Sequence, residues 1–274
     1  MIAPGLAQTE ADDASEPTIR DLALEPLGSG GVGKIAPEPR DVDAFVTANL
    51  EWLLLHALAS VLTESFGYDG PNADAADAFA SSRLSARHED EVAAARLATV
   101  AEAFSLASEG EAPAYFAANE LDRDRAFRVL CVANGADNAI AREALRFANA
   151  PPDRFEACRI DRDLATEEWD VALSADFAFE GDPPGDVAIA YGEPAEGEAE
   201  MRAFVEQTGL LEGLAEETAT TYTLFEPLRF EARSCDGDDG LRAEGGTLTL
   251  CYGLVRDLFD LAAPSDPVEA TPDE

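Results

Sequence analysis

From residue 41 to 66 apolar side chains recur at helical spacing on almost every face, with Phe45, Val46, Leu50, Leu53, Leu54, Ala57, Leu58, Val61 and Leu62 the largest. Asp41 or Asp43 offers a cap at the start of this stretch and Gly67 a stop after it. A helix that is apolar all round is buried or lies in a bilayer. The densest part, Leu50 to Leu62, falls short of the ~20 residues a span requires, contains Glu51 and His56, and has no basic cluster at either end. A core or subunit-contact helix is therefore predicted, with no membrane involved. His56 is expected to be a core side chain with satisfied polar atoms rather than a ligand.

Helical periods continue over 73–82 and 89–107, the second placing Val92, Leu97, Val100 and Phe104 near one face, and SEGEAP at 108–113 reads as a turn or short linker. From Ala126 the pattern changes. RVLCVAN (128–134) reads as a buried strand, 138–149 as a helix and FEACRI (155–160) as a second strand, a β-α-β sequence. Strands are expected over 169–180 and 186–191, joined by a hairpin turn at GDPPGD. A helix follows over 195–208 and stops at Gly209. Strands over 222–225, 228–233 and 247–252 and a helix over 254–262 complete the set. In the middle strand Leu228, Phe230 and Ala232 alternate with Arg229, Glu231 and Arg233, as on a sheet with one wet face. Strands outnumber helices in this half and hairpins are favoured over repeated crossovers. The expected class is α+β, an N-terminal helical part packed on a C-terminal part with a mixed sheet.

Two segments lack such periods. Residues 1–40 carry Pro4, Pro17, Pro26, Pro37 and Pro39 around a glycine cluster, and residues 264–274 form an acidic tail; both are expected to be disordered. The organisation predicted is thus 1–40 disordered, 41–112 helical, 113–263 α+β and 264–274 tail.

Charge changes the picture of the surface. Of 274 residues, 56 are acidic and 19 basic, a net charge of −37, and Lys34 is the one lysine. A folded chain of 29.1 kDa exposes roughly 11,000 Å², about one net negative charge per 300 Å². Such charges lie about 17 Å apart, under two Debye lengths at 0.1 M salt and several at 1 M. The surface repels itself in dilute buffer and is quiet in brine. Exchanging lysine for arginine preserves charge, so base composition cannot account for the acidity. Halophilic adaptation of the haloarchaeal kind does, and with no secretory signal at Met1 a cytoplasmic setting is expected. Nucleic acid is excluded as a partner because phosphate binding needs clustered Lys and Arg.

Candidate chemistry is sparse. Cys131, Cys158, Cys235 and Cys251 show no C-x-x-C spacing, three of them fall in apolar runs, and reduced buried thiols are expected. Histidine occurs at His56 and His88 alone, H-E-x-x-H is absent, and no metal site or catalytic triad is predicted. Gly28-Ser29-Gly30-Gly31-Val32-Gly33-Lys34 fits G-x-x-x-x-G-K and resembles the phosphate loop of P-loop nucleotidases, a resemblance that implies backbone and Lys34 contacts to phosphate. Ile35 stands where Ser or Thr would hold magnesium, and Pro37 and Pro39 stand where a helix would start, so a glycine linker is the expected role. Asn134, Gly135, Asp137 and Asn138, with Arg142 a turn on, join the expected strand to the expected helix, where free N–H groups could receive an anion. Asp236 to Gly240 fails the EF-hand pattern and reads as an acidic hairpin loop. Arg229 and Arg233 are expected to pair internally with Glu231.

The functional expectation is a salt-adapted interaction or regulatory module without catalytic activity, with a protein partner or second copy on the 45–62 helix. No cofactor is implied. The alternative is a nucleotide or anionic-metabolite binder, with or without enzymatic activity, using Gly28, Gly33 and Lys34 or the 134–142 loop.

Overall fold

The computed structural model describes residues 41–109, 122–135, 152–236 and 240–263. Eight helices and a four-stranded sheet are present among them, an α+β architecture.

The first helix, α1 (Val42–Ser65), starts where Asp41 accepts a hydrogen bond from the Ala44 N–H at 3.1 Å. Gly67, with φ 75°, ends the turn that follows it. α1 is long and apolar enough to cross a membrane, yet 83% of its apolar window is buried by the rest of this chain. It packs against α2 (Ala73–Arg87), α3 (Asp90–Glu109), the C-terminal helix α8 (Tyr252–Ala262) and two strands, β3 (Leu241–Glu244) and β4 (Thr247–Cys251). Cover from so many elements explains a helix apolar all round, and its burial needs no second chain. Trp52, Phe45, Phe79 and Phe104 are fully enclosed in the same core.

α4 (Asp122–Gly135) lies on α3 and α2, and α5 (Pro152–Ala172) lies on α4 and α2. The expected β-α-β unit is not there: both 128–134 and 155–160 are helical. Val129 to Val132 is a four-residue apolar run too short for periodicity to separate strand from buried helix. Packing on α3 decides it. The intervening 138–149 lies outside the described residues.

Beyond α5 the chain makes an isolated antiparallel bridge, Phe177 with Tyr222, where strands over 169–180 and 222–225 were expected. β1 (Val187–Tyr191) pairs in parallel with β2 (Leu228–Arg233), so GDPPGD joins no hairpin. Between them run α6 (Ala199–Thr208) and α7 (Leu210–Thr221), separated by Gly209 in the left-handed region at φ 61°. β2 pairs in parallel with β4, and the sheet order is β1-β2-β4-β3. The one hairpin in the sheet is β3–β4, whose turn residues Gly245 and Gly246 have φ 57° and 70°, as a two-residue primed turn demands. The acidic stretch from Asp236 therefore links two strands that are not neighbours, and is not a hairpin loop. In β2 the expected alternation holds, with Leu228, Phe230 and Ala232 buried.

The cysteines are paired. Cys131 on α4 bonds Cys158 on α5, and Cys235 after β2 bonds Cys251 at the end of β4. This corrects the expectation of four thiols: separations of 27 and 16 residues carry no sequence signature, and the contacts come from helix and strand packing.

Candidate functional site

Two carboxylates on neighbouring helices are buried in the helical layer: Glu51 of α1 and Asp77 of α2, each 3% exposed. A buried charge with no partner costs several kcal/mol, so each is where it is because cations surround it.

Asp77 takes a two-pronged contact from Arg125 of α4, Nε to Oδ2 at 2.9 Å and Nη2 to Oδ1 at 2.7 Å. His56 of α1 places Nε2 3.2 Å from Oδ1. Arg128, bound to Asp74 at 2.9 Å, stands 3.8 Å from Oδ2. Burial alone would raise the Asp77 carboxyl, but the His56 ring and the Arg125 guanidinium against it outweigh burial and hold the group below the usual carboxylate range. The Arg125 guanidinium lies over the Phe104 ring, 4.5 Å from its centroid, and 5.8 Å from that of Trp52. Trp52 is itself fixed by a 3.0 Å hydrogen bond from Nε1 to Ser81 Oγ and an edge contact with Phe104.

One turn back along α1, Glu51 is held by Arg87 (Nε to Oε1, 3.0 Å), Arg96 (Nη1 to Oε2, 2.6 Å) and His88, whose Nε2 lies 2.9 and 3.0 Å from the two oxygens. Arg87 also donates to Glu217 of α7, which ties the helical layer to the sheet part. Burial raises the Glu217 carboxyl, with Arg87 and Arg83 pulling it the other way.

The residues singled out by sequence fall elsewhere. Asn134 and Gly135 close the C-terminal end of α4, which presents carbonyls rather than the N–H groups an anion would need. Asp137, Asn138, Arg142, Gly28, Gly33 and Lys34 lie outside the described residues. Arg229 and Arg233 pair with Glu231 at 2.9 and 2.8 Å, the internal pairing expected of them. Of the buried network, sequence reasoning had noticed Glu51, His56 and His88 without pairing them, and missed Asp77, Arg87, Arg96 and Arg125. The available signal was scarcity: with 19 bases among 56 acids, an arginine near an apolar period is a marker for a buried acid.

What these elements define is a helical layer organised by internal acid–base pairs, docked on a small mixed sheet. The family model described as "Putative metallopeptidase" (DUF4344) matches residues 37–173, half of the chain and all four of the helices that carry Asp77, His56, Arg125 and Glu51 with its arginines. The chain belongs to this family. No curated protein and no solved structure matches it. Membership overturns the expectation of a non-catalytic interaction or regulatory module, because the family description is catalytic; the nucleotide or anionic-metabolite alternative has no counterpart in it either.

A peptidase metal centre asks for three protein donors with a position left open. His56 lies on a helix, but one residue on stands Ala57 and four residues on stands Ser60, where the H-E-x-x-H pattern has its glutamate and second histidine. Among the described residues no group of three His, Cys, Asp or Glu side chains converges on a point. Both Asp77 oxygens are engaged by Arg125, and the Trp52 and Phe104 rings lie against that guanidinium. On the donors found among the described residues, the site does not fit a catalytic metal ion.

Proposed function

We propose that this chain carries out the polypeptide-directed work of its peptidase family with no resident metal ion. Membership over 37–173 supports polypeptide as the substrate class. The metal-free part rests on one observation: the carboxylate beside the helical histidine is already coordinated by a guanidinium fork from within the chain. His56 remains one-fifth exposed beside this pair, with Nε2 3.2 Å from Asp77 Oδ1, so the ion-paired cluster reaches the surface of the helical layer at this histidine.

The surroundings follow from composition and covalent structure. A net charge of −37 supports concentrated salt as the working medium. Two disulfides support an oxidising setting over the reducing cytosol.

The test is incubation of the full chain with a reduced, carboxymethylated polypeptide in molar KCl, with and without EDTA. Retention or cleavage of the polypeptide to the same extent in both is the expected result. Loss of the effect with EDTA and its return with Zn²⁺ would overturn the proposal, as would failure to engage the polypeptide in either condition.

A further inference from the structure

The disagreement between the family description and the donor set leads to a definite assignment. We propose that the pocket formed by Asp77, Trp52 and Phe104 is a guanidinium site, filled from within by Arg125, and that it takes planar monovalent cations in preference to divalent metal. The inference rests on the metal-free reading of the same site.

Three features of the pocket select the cation. Asp77 is nearly inaccessible and turns both oxygens to one side, where two parallel N–H donors meet them at 2.9 and 2.7 Å. That spacing suits a guanidinium fork, which presents its donors in a fixed plane. Among the described residues two ring faces flank the guanidinium, with the centroids of Phe104 and Trp52 4.5 and 5.8 Å from its carbon. Aromatic faces attract a weakly hydrated, delocalised cation and offer a metal ion no lone pair to coordinate. His56 adds one nitrogen at 3.2 Å from Oδ1, which with Asp77 makes two donor residues among the described residues, where a metal site needs three or more. The pocket also joins helices, since Asp77 is on α2, Trp52 and His56 on α1, Phe104 on α3 and Arg125 on α4. The internal cation thereby holds together the layer that a bound ion would otherwise organise.

The experiment is chemical rescue of the full-length Arg125→Ala variant in molar KCl. Guanidinium chloride, at concentrations too low to denature, is expected to raise the thermal midpoint of the variant by about 3 °C and to leave the wild type unchanged. Zn²⁺ at the same concentration is expected to give no rise that depends on His56. Zinc rescue equal to or greater than guanidinium rescue, lost in Arg125→Ala/His56→Ala, would overturn the assignment; so would the absence of guanidinium rescue. Should Arg125→Ala not fold, the cycle of Arg125→Met, Asp77→Asn and the double variant decides. Recovery in the double variant of most of the midpoint lost in Arg125→Met supports the assignment, and losses that simply add refute it. These outcomes are separate from the fate of the metal-free reading, which fails if the wild type itself holds a His56-dependent zinc ion.

Discussion

Glu51→Gln should be among the most damaging single-atom changes in the helical layer. The side chain is buried and receives hydrogen bonds from Arg87 and Arg96, with His88 against the same two oxygens. Glutamine keeps the shape and one acceptor but removes the charge, leaving two partly buried guanidiniums short of a counter-ion. Removing one partner of a buried pair costs about 3–5 kcal/mol, and the lower end applies because Arg87 retains Glu217. At roughly 2–4 °C per kcal/mol for a chain of this size, a loss of about 3 kcal/mol lowers the thermal midpoint by about 6–12 °C. Glu206→Gln provides the internal scale. Its pair with Arg202, an exposed contact between residues four apart, measures 2.8 Å. That pair is solvated and is screened within ~3 Å in molar KCl, so losing it should leave the midpoint nearly unchanged. Thermal melts of wild type and both variants in molar KCl should therefore show one large and one negligible shift. If Glu51→Gln shifts the midpoint by less than about 2 °C, the electrostatic account of α1 is wrong.

Mass spectrometry of protein prepared without reductant should find Cys131–Cys158 and Cys235–Cys251 each fully formed, and opening loops of 27 and 16 residues should cost roughly 3.5 and 3 kcal/mol on loop entropy alone. Four free thiols in the native protein would refute the pairing. Lowering the salt below about 0.1 M should unfold the chain as measured by circular dichroism, and cooperative unfolding retained there would sink the salt dependence. Asp77 is depressed below the usual carboxylate range, as is Glu231, where burial pushes up and Arg229, Arg233 and Thr249 pull down harder. As pH falls the unfolded chain therefore takes up these protons first, so their stabilisation is complete above about pH 5 and is lost progressively below it. A urea midpoint in molar KCl that keeps rising as pH falls from 4 toward 2 would contradict this, since relief of surface repulsion would then outweigh the pairs.

How far the sequence revealed this molecule depended on whether a local period carried the information. α1, β2, β4 and α8 were legible because burial on one face or all faces writes a repeat into the chain. α7 was not, although Leu210, Leu211, Leu214, Ala215 and Thr218 lie at helical spacing, because Gly209 and Gly213 and a threonine-rich end obscure it. α4 was misread because Val129 to Val132 reads equally as strand, and the choice was made by α3 lying alongside. The site was illegible for a different reason. Asp77 and Arg125 are 48 residues apart and Glu51 and Arg87 are 36 apart, so no spacing rule links them. Among 56 acids nothing distinguished Glu51 and Asp77 until helix packing showed that these two are the most deeply buried of the described acids.

The central claim is that Arg125, and not a metal ion, neutralises the carboxylate beside His56. Equilibrium dialysis of wild type and His56→Ala against Zn²⁺ in molar KCl, followed by elemental analysis of the protein, tests it most directly. An acidic surface holds some zinc on any account, so the informative quantity is the difference between the two proteins. Equal zinc content is the result predicted. One additional zinc per chain in the wild type, lost in His56→Ala, would contradict the account and restore a metal centre to α1.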